Sequence, residues 1–214
     1  MMDAGLEVDA DAMDVYPNDV PDPRALFPCK VDADGNCLPS CGSVYAYGTG
    51  IKVAEMRVRI LIELVLYVGV YLDNDCFLKG MTGESSKQLP KIYAQYSDMY
   101  VPGMNLNDNM VRNIYQMELM KIRIMWQMHA LSSVLKSQIF SIYPKFGNPN
   151  VRSDLNRIVM PRNQLSTQKT SIHYMDKYET QWMHDHWISK HFVPVLPIAA
   201  ANESIENGKM ETVK

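Results

Sequence analysis

Cys37 is the residue whose type and setting best fit covalent chemistry. A cysteine acts as a nucleophile only as its thiolate, and the positive end of a helix favours that anion. The run Asp34–Cys37 is a sharp turn that ends where a helix is predicted to begin, so the thiol would meet this condition. The backbone N–H groups of such a turn can also stabilise an oxyanion. The pattern predicts acyl transfer through Cys37, with Asp34, Gly35 and Asn36 as turn residues and Asp34 bracing the turn.

His191 is the predicted base, because a thiolate needs a proton acceptor held on another element of the fold. It opens a short apolar strand, and the strand would hold its ring rigidly. His129 lies within a predicted helix, where packed histidines are common. His184 and His186 lie in a polar stretch and form a weak metal pattern, but no cysteine or carboxylate set completes it with zinc-ligand spacing. We therefore expect neither a metal nor another cofactor.

A less specific reading of the turn remains open, namely an Asp-Gly surface turn followed by a buried cysteine. Cys41, one helical turn further on, is predicted to be a small buried residue on the core face. We see no basic and apolar leader at the N-terminus, which favours a reducing compartment, the cytosol or nucleus. The thiols of Cys29, Cys37, Cys41 and Cys76 are therefore expected to form no disulfides.

The composition excludes some classes of function. The chain has 214 residues, of which 47% are hydrophobic and 21% charged, with a formal net charge of −3. This is globular composition without a strong basic field, so nucleic-acid binding is not expected as the main task. The longest apolar run, Val58–Leu72, is interrupted by Arg59 and Glu63 and is too short to span a bilayer, so no membrane association is expected.

The hydrophobic pattern predicts helices first and short strands later, which is an α+β arrangement with helices packed around a small sheet. Predicted helices are Cys37–Tyr47, Val53–Tyr71 and Asn109–Lys136, the last with a break near Lys121. Residues 73–109 are predicted to be loops with one or two short helices. Predicted strands are Ile139–Tyr143, Leu155–Met160 and His191–Leu196. Pro194 suggests that the last of these is an edge strand or ends there.

Four blocks resemble the deubiquitinases of the ovarian tumour (OTU) type, in the order of that family. They cover about residues 30 to 198 and comprise Asp34–Leu38, Glu55–Arg59, Trp126–Tyr143 and His191–Val195. Tyr16–Pro21, Ser141–Pro144 and Asn156–Arg162 further resemble the vertnin-like branch of this fold. The resemblance implies a papain-like OTU fold with a small central β-sheet between helices. It also implies an OTU-like catalytic domain at 14–198, flanked by disordered segments at 1–13 and 199–214.

The resemblance implies a cysteine isopeptidase that hydrolyses ubiquitin conjugates or chains through a Cys37 thioester. Many members of the family orient the histidine with Asp or Asn two positions later, where this chain has Val193. Relatives with a His-Phe-x-Pro box use an acid upstream of the cysteine instead, and we favour Asp19 for that role. The other upstream candidates are Asp22, Asp32 and Asp34, and a dyad without an acid is the remaining option.

A channel for the two terminal glycines of ubiquitin would be lined by His186 and Trp187, or by Trp182, although plain packing is the commoner role of tryptophans. Two alternatives stay open. The first is a catalytically silent vertnin-like interaction module, nuclear and DNA-associated. The second is a thiol hydrolase that acts on another ubiquitin-like modifier.

Overall fold

The computed structural model describes most of the chain between residues 6 and 197. The described ranges are 6–18, 26–79, 87–97, 100–118, 125–144, 149–163, 169–175, 182–183, 186–187 and 191–197. The helices are α1 (Ala10–Asp14), α2 (Cys37–Tyr47), α3 (Val53–Leu66), α4 (Val68–Leu72), α5 (Asn74–Leu78), α6 (Leu89–Gln95), α7 (Leu106–Glu118), α8 (Met125–Leu135) and α9 (Pro149–Leu155), with a 3-10 turn at Gly50–Lys52. The strands are β1 (Leu26–Pro28), β2 (Gln138–Ile142), β3 (Arg157–Val159), β4 (Lys169–Met175), β5 (Trp182–Met183), β6 (His186–Trp187) and β7 (His191–Pro197).

A five-stranded sheet forms the centre of the molecule, in the order β1-β7-β4-β2-β3. Strands β2 and β4 run parallel, and the other neighbours are antiparallel. Strands β5 and β6 form a separate two-stranded pair. Phe192 points into the main hydrophobic core on one face of the sheet, while Val193 packs with Ala12 of α1 on the other. The sheet therefore lies between helices, which confirms the predicted α+β fold.

The main core joins helices α2, α3 and α8 to the sheet, and its largest buried side chains include Trp126, Tyr71, Tyr93 and Phe77. Gly42 allows the close approach of these helices. A Cβ atom at this position would lie 2.6 Å from Leu131 Cδ1 and 2.8 Å from Met56 Cγ. Since α2 begins at Cys37, this packing fixes the position of the predicted nucleophile.

The helix predictions agree with the structure within a few residues. Helix α2 has the predicted bounds and ends at Gly48, which has the left-handed φ of 73°. The long second helix is divided at Tyr67 into α3 and α4. The third predicted helix corresponds to α7 and α8, and the residues between them, where the break near Lys121 is expected, lie outside the described residues. Helix α9 and strands β1 and β4 were not predicted.

The N-terminal segment differs from the prediction of a disordered tail at 1–13. From residue 6 onward it is part of the fold, because Val8 bridges to Cys29 and Asp9 N donates to Pro28 O at 2.9 Å. The Asp9 carboxylate then caps α1 by accepting from Ala12 N at 3.0 Å. An aspartate at this position satisfies an N–H group that the helix itself cannot pair. The predicted tail at 199–214 lies outside the described residues.

The prediction of an edge position for β7 is wrong, since β7 lies between β1 and β4. Pro194 is accommodated because its carbonyl still accepts from Cys29 N at 2.8 Å. The nitrogen of Pro194 points to the same side as its carbonyl. Strand β1 has already ended there, at Pro28, so the missing donor disrupts little of the ladder. Among the described residues, no helix is long and apolar enough to cross a lipid bilayer.

Candidate active site

The turn before α2 is held by its own side chains. Gly35 has a φ of 84°, a left-handed conformation that glycine adopts without strain. Asp34 accepts from the backbone N–H of Asn36 and from its side-chain amide, both at 2.8 Å. Burial alone would raise the pKa of Asp34, but these hydrogen bonds and the charge of Arg57 lower it below its usual value. The carboxylate therefore stays ionised and braces the turn, as predicted from the Asp-Gly pattern.

Cys37 is the first residue of α2, and its side chain is 1% exposed. Burial first, and then the charge of Asp34, raise the pKa of its thiol, which lies at about 11. Backbone hydrogen bonds from Phe192, Leu38 and Cys37 itself act in the opposite direction. The sequence predicted a thiolate stabilised by the helix start. In the described conformation burial outweighs that effect, and the thiol is protonated at neutral pH.

Helix α2 and strand β7 are joined at two points along their length. The backbone of Phe192 forms a hydrogen bond with the sulfur of Cys37. Two turns later on the helix, Tyr45 donates its hydroxyl proton to Val195 O at 2.7 Å and accepts from Val195 N at 3.0 Å. The start of α2 therefore lies against the start of β7, and His191 is the residue immediately before Phe192.

His191 pairs with Met175 at the end of β4, and its side chain is 7% exposed. It lines a hollow of about 350 Å³ together with residues of the N-terminal segment and of the stretch before the turn. The acidic residues that line this hollow with it are Glu7, Asp9, Asp11 and Asp32. The hollow thus brings carboxylates from two sequence-distant segments together with the predicted base.

A larger cleft of about 680 Å³ lies on the other side of the segment Lys30–Asp32, which lines both cavities. Asp34, Asn36 and Arg57 form its polar wall, and residues such as Val44 and Val58 form its apolar wall. The turn that leads into Cys37 is therefore reached from an open cleft, while the histidine is reached from the smaller hollow.

Comparison with known families agrees with this architecture. A family model described as "Vertnin, OTU domain" matches residues 28–175, about two thirds of the chain. The chain belongs to the vertnin OTU-domain family. The match includes the turn, α2 and strands β2 to β4, and it stops before β7.

Individual vertnins are similar over most of the chain. Mouse vertnin is 30% identical over 174 residues, which is 78% of this chain and 22% of the mouse protein. Human vertnin is 26% identical over 198 residues, 89% of this chain and 26% of the human protein. Zebrafish vertnin is 28% identical over 175 residues, 78% and 24% respectively. The chain therefore spans about a quarter of the length of these relatives.

In this vertnin-type OTU domain, the four upstream aspartates that are candidates for the third catalytic residue differ in their surroundings. Asp19 and Asp22 lie outside the described residues. Asp32 lines the hollow with His191, and Asp34 is engaged in the turn. Asp9 and Asp11, which the sequence analysis missed, line the same hollow. The sequence feature that could have identified them is Asp9 as the N-cap of a short helix. The small, acidic residues around it suggested a disordered segment instead.

The predicted substrate-binding residues His186 and Trp187 form β6, which pairs with Trp182 and Met183 of β5. Only the backbone of this hairpin is described, so the channel-lining role stays a prediction. His184 lies outside the described residues. Within the described part of the vertnin-type domain, no group of three or more metal-ligating side chains comes together.

The interpretation of His129 as a packed residue is confirmed. Its ring is 1% exposed in α8 and lies edge-on to Phe77, with ring centres 4.4 Å apart. Burial, and then the charge of Arg157, lower its pKa well below the usual value, so it is neutral.

All four cysteines lie in the described part of the chain, each buried and none in a disulfide. Cys41 is buried on the core face of α2, as predicted.

Proposed function

We propose that this domain is a thiol-dependent hydrolase that releases ubiquitin from its conjugates, with Cys37 as nucleophile and His191 as base. The observation that carries the proposal is the contact of the Tyr45 hydroxyl on α2 with both backbone polar groups of Val195 on β7. It aligns the nucleophile helix with the histidine strand. Membership of an OTU-domain family supports the same chemistry.

The proposed reaction begins with transfer of the Cys37 proton to His191. The thiolate attacks the carbonyl carbon of the C-terminal glycine of ubiquitin, and a C–S bond forms. The C–N bond of the isopeptide then breaks, and the amine leaves with the proton from His191. Water, deprotonated by His191, attacks the thioester and the C–S bond breaks. The products are the ubiquitin carboxylate and the regenerated thiol.

The oxyanion of each step would be held by backbone N–H groups at the start of α2. Backbone hydrogen bonds from Cys37 and Leu38 already act on the sulfur and lower the pKa of its thiol. We propose that the same N–H groups hold the carbonyl oxygen once its carbon is bonded to Cys37. The larger cleft reaches the adjoining turn residues Asp34 and Asn36, and we propose that the ubiquitin tail enters there.

The buried thiol sets a condition on this function. Cys37 is 1% exposed, and the pKa of its thiol is about 11. We therefore propose that this conformation is a resting state of the enzyme. A substrate must open the walls of the cleft and bring His191 to the sulfur before attack. Lid and loop movements of this kind are common steps in enzyme turnover.

The test is covalent capture by ubiquitin that carries a C-terminal electrophile, followed by intact mass. We expect one adduct on the wild-type chain and none on Cys37→Ala or His191→Ala. Cys76→Ser is the matched control, because Cys76 is buried in α5 away from the turn, and its adduct should match wild type. Capture that survives in Cys37→Ala, or disappears in Cys76→Ser alone, would exclude this assignment of the nucleophile.

A second candidate function is a non-catalytic interaction module in the nucleus, and the burial of Cys37 favours it. A folded wild-type chain that reacts with no electrophile-bearing ubiquitin, nor with other ubiquitin-like modifiers in a panel, would support this module and overturn the hydrolase. A retarded band with duplex DNA, lost as salt increases, would identify its partner. Capture by a different modifier alone would keep the chemistry and change the substrate. For either function we propose location in the cytosol or nucleus.

A further inference from the structure

The side chain of Arg57 reaches from α3 to the turn that carries the predicted nucleophile. Its Nη2 donates to Gly35 O at 3.4 Å and also to the side-chain oxygen of Asn36. These are the last two residues before Cys37. The contacts are long-range in sequence, since the guanidinium and the turn are more than 20 residues apart. Arg57 is therefore the tertiary anchor of a turn that Asp34 braces only locally.

Asn36 is held from both sides by this arrangement. Its amide oxygen accepts from Arg57, while its amide nitrogen donates to Asp34 Oδ2 at 2.8 Å. Asn36 occupies the N-cap position of α2, where asparagine commonly accepts from an N–H group of the first turn. Here it makes no such side-chain capping bond. The clamp thus diverts the Asn36 side chain away from the helix.

Because the Asn36 side chain does not cap α2, the first N–H groups of the helix can donate to other acceptors. Pro39, at the third helical position, has no N–H, so the donors in question belong to Cys37 and Leu38. Backbone hydrogen bonds from both residues act on the Cys37 sulfur. If Asn36 were released, its amide oxygen would be free to cap Leu38 and would compete for the donor that an oxyanion needs.

The charges of Asp34 and Arg57 support the same role for Arg57, which is to prepare the start of α2 for catalysis. Asp34 lies close enough to Cys37 to disfavour a thiolate, and Arg57 lies close enough to Asp34 to offset that carboxylate. The Arg57 side chain also lines the larger cleft beside Asp34 and Asn36. Lys30 and Asp32 are the other charged residues of that cleft wall.

We infer that Arg57 is a positioning residue, which holds the Asn36 side chain away from the helix start so that its amide oxygen does not compete with the oxyanion for the Leu38 N–H. This inference rests on the proposed hydrolase function. It differs from that function in its site, because Arg57 acts through the side chain of Asn36.

The test compares Arg57→Met, Arg57→Lys and Arg59→Met with the wild-type chain. Arg59 is the matched control, since it lies on the same helix but pairs with Glu55 at 2.6 Å on the exposed side. The probe is ubiquitin with a C-terminal electrophile, and the maximal rate of capture is separated from the half-saturating concentration. Thermal unfolding of each variant is measured in parallel.

We expect Arg57→Met to lower the maximal rate by about tenfold to a hundredfold, with a smaller change in half-saturation, because misplaced donors cost turnover more than binding. Arg57→Lys should recover part of the rate, and Arg59→Met should match wild type. Asn36→Ala removes the amide oxygen that would compete for the Leu38 N–H, so it should restore most of the rate when it is combined with Arg57→Met. The double-variant cycle keeps the test valid if one variant folds less well.

A wild-type maximal rate in folded Arg57→Met, or equal losses in Arg57→Met and Arg59→Met, would overturn the inference and leave the hydrolase intact. A double variant of Arg57→Met and Asn36→Ala that is as slow as Arg57→Met alone, or slower, would also overturn it. No capture by the folded wild-type chain would overturn the proposed function and, with it, the role of Arg57.

Discussion

The hydroxyl of Tyr45 forms hydrogen bonds with both backbone polar groups of Val195, donating to the carbonyl at 2.7 Å and accepting from the N–H at 3.0 Å. Tyr45 lies two turns after Cys37 on α2, and Val195 lies four residues after His191 on β7. One phenol therefore fixes how far the nucleophile helix can slide along the histidine strand. This contact, rather than any short-range pattern, sets the alignment on which the proposed chemistry depends.

Tyr45→Phe should lower the free energy of unfolding by about 1–3 kcal/mol, because both Val195 groups lose a partner in a partly buried place. Chemical denaturation measures the change. Tyr47→Phe is the control, since the Tyr47 hydroxyl bonds to Glu55 at the exposed surface, and its effect on stability should be much smaller. Equal effects of the two substitutions would show that the Tyr45 contact does not stabilise the junction. A slower capture by electrophilic ubiquitin in Tyr45→Phe would link the alignment to activity.

The sequence predicts the local parts of this site well, since local rules govern them. Helix α2 is bounded by a turn with Gly35 at positive φ and by Gly48 in the left-handed conformation, and both signals are readable from the chain. The apolar run after His191 similarly predicts β7. The α+β class follows from the order of these elements.

Other parts depend on contacts that no local pattern encodes. Strand β7 lies inside the sheet because β1, a strand of only three residues, pairs with its outer side. Pro194 is tolerated there because its missing N–H falls where β1 ends. The clamp by Arg57 requires the register of α3 against the turn, which sequence periodicity leaves open. The burial of Cys37 is likewise a property of packing. The sequence therefore predicts a helix start that favours the thiolate, but it does not predict the burial that raises the pKa of the thiol.

The raised pKa of Cys37 predicts a pH-dependent contribution to stability. Burial raises the pKa of the thiol in the folded chain from its usual 9.0 to about 11. The folded state therefore favours the protonated thiol, and its contribution is complete below pH 9 and is lost as the pH rises towards 11. We expect the stability advantage of wild type over Cys37→Ala to fall by up to about 1 kcal/mol for each pH unit in this window. Denaturation of both proteins between pH 7 and about 10.5 measures the difference, and a difference independent of pH would contradict the assignment.

Asp154 is a buried carboxylate at a junction of helices α6 and α9. It accepts from Tyr96 Oη at 2.8 Å and from Lys87 Nζ at 2.9 Å, and its side chain is 8% exposed. Asp154→Ala should lower the free energy of unfolding by about 2–4 kcal/mol, because it leaves a buried hydroxyl and an ammonium group without their acceptor. Asp75→Ala, at an exposed position in α5, should change it by less than about 0.5 kcal/mol. Denaturant midpoints at constant m-value would measure both, and a small effect at Asp154 would mean that water replaces the carboxylate.

Gly42 supplies the last prediction, because it lets α2 pack closely on α3 and α8. An added Cβ would lie 2.6 Å from Leu131 Cδ1 and 2.8 Å from Met56 Cγ, so these side chains must move or the helix must shift. Gly42→Ala should therefore lower the free energy of unfolding by about 1–3 kcal/mol, although alanine is the better helix former.

Gly69→Ala is the matched control for this substitution. Gly69 lies in α4, and a Cβ there would meet nothing within 4 Å, so the change should be neutral or stabilise the fold by up to about 1 kcal/mol. Thermal and chemical unfolding of the pair separate steric crowding from helix propensity. Because α2 begins with Cys37, any shift that relieves the crowding at Gly42 should also slow capture by electrophilic ubiquitin, whereas Gly69→Ala should leave the rate unchanged. A stabilised Gly42→Ala with a wild-type capture rate would show that Leu131 and Met56 rearrange without displacing the helix.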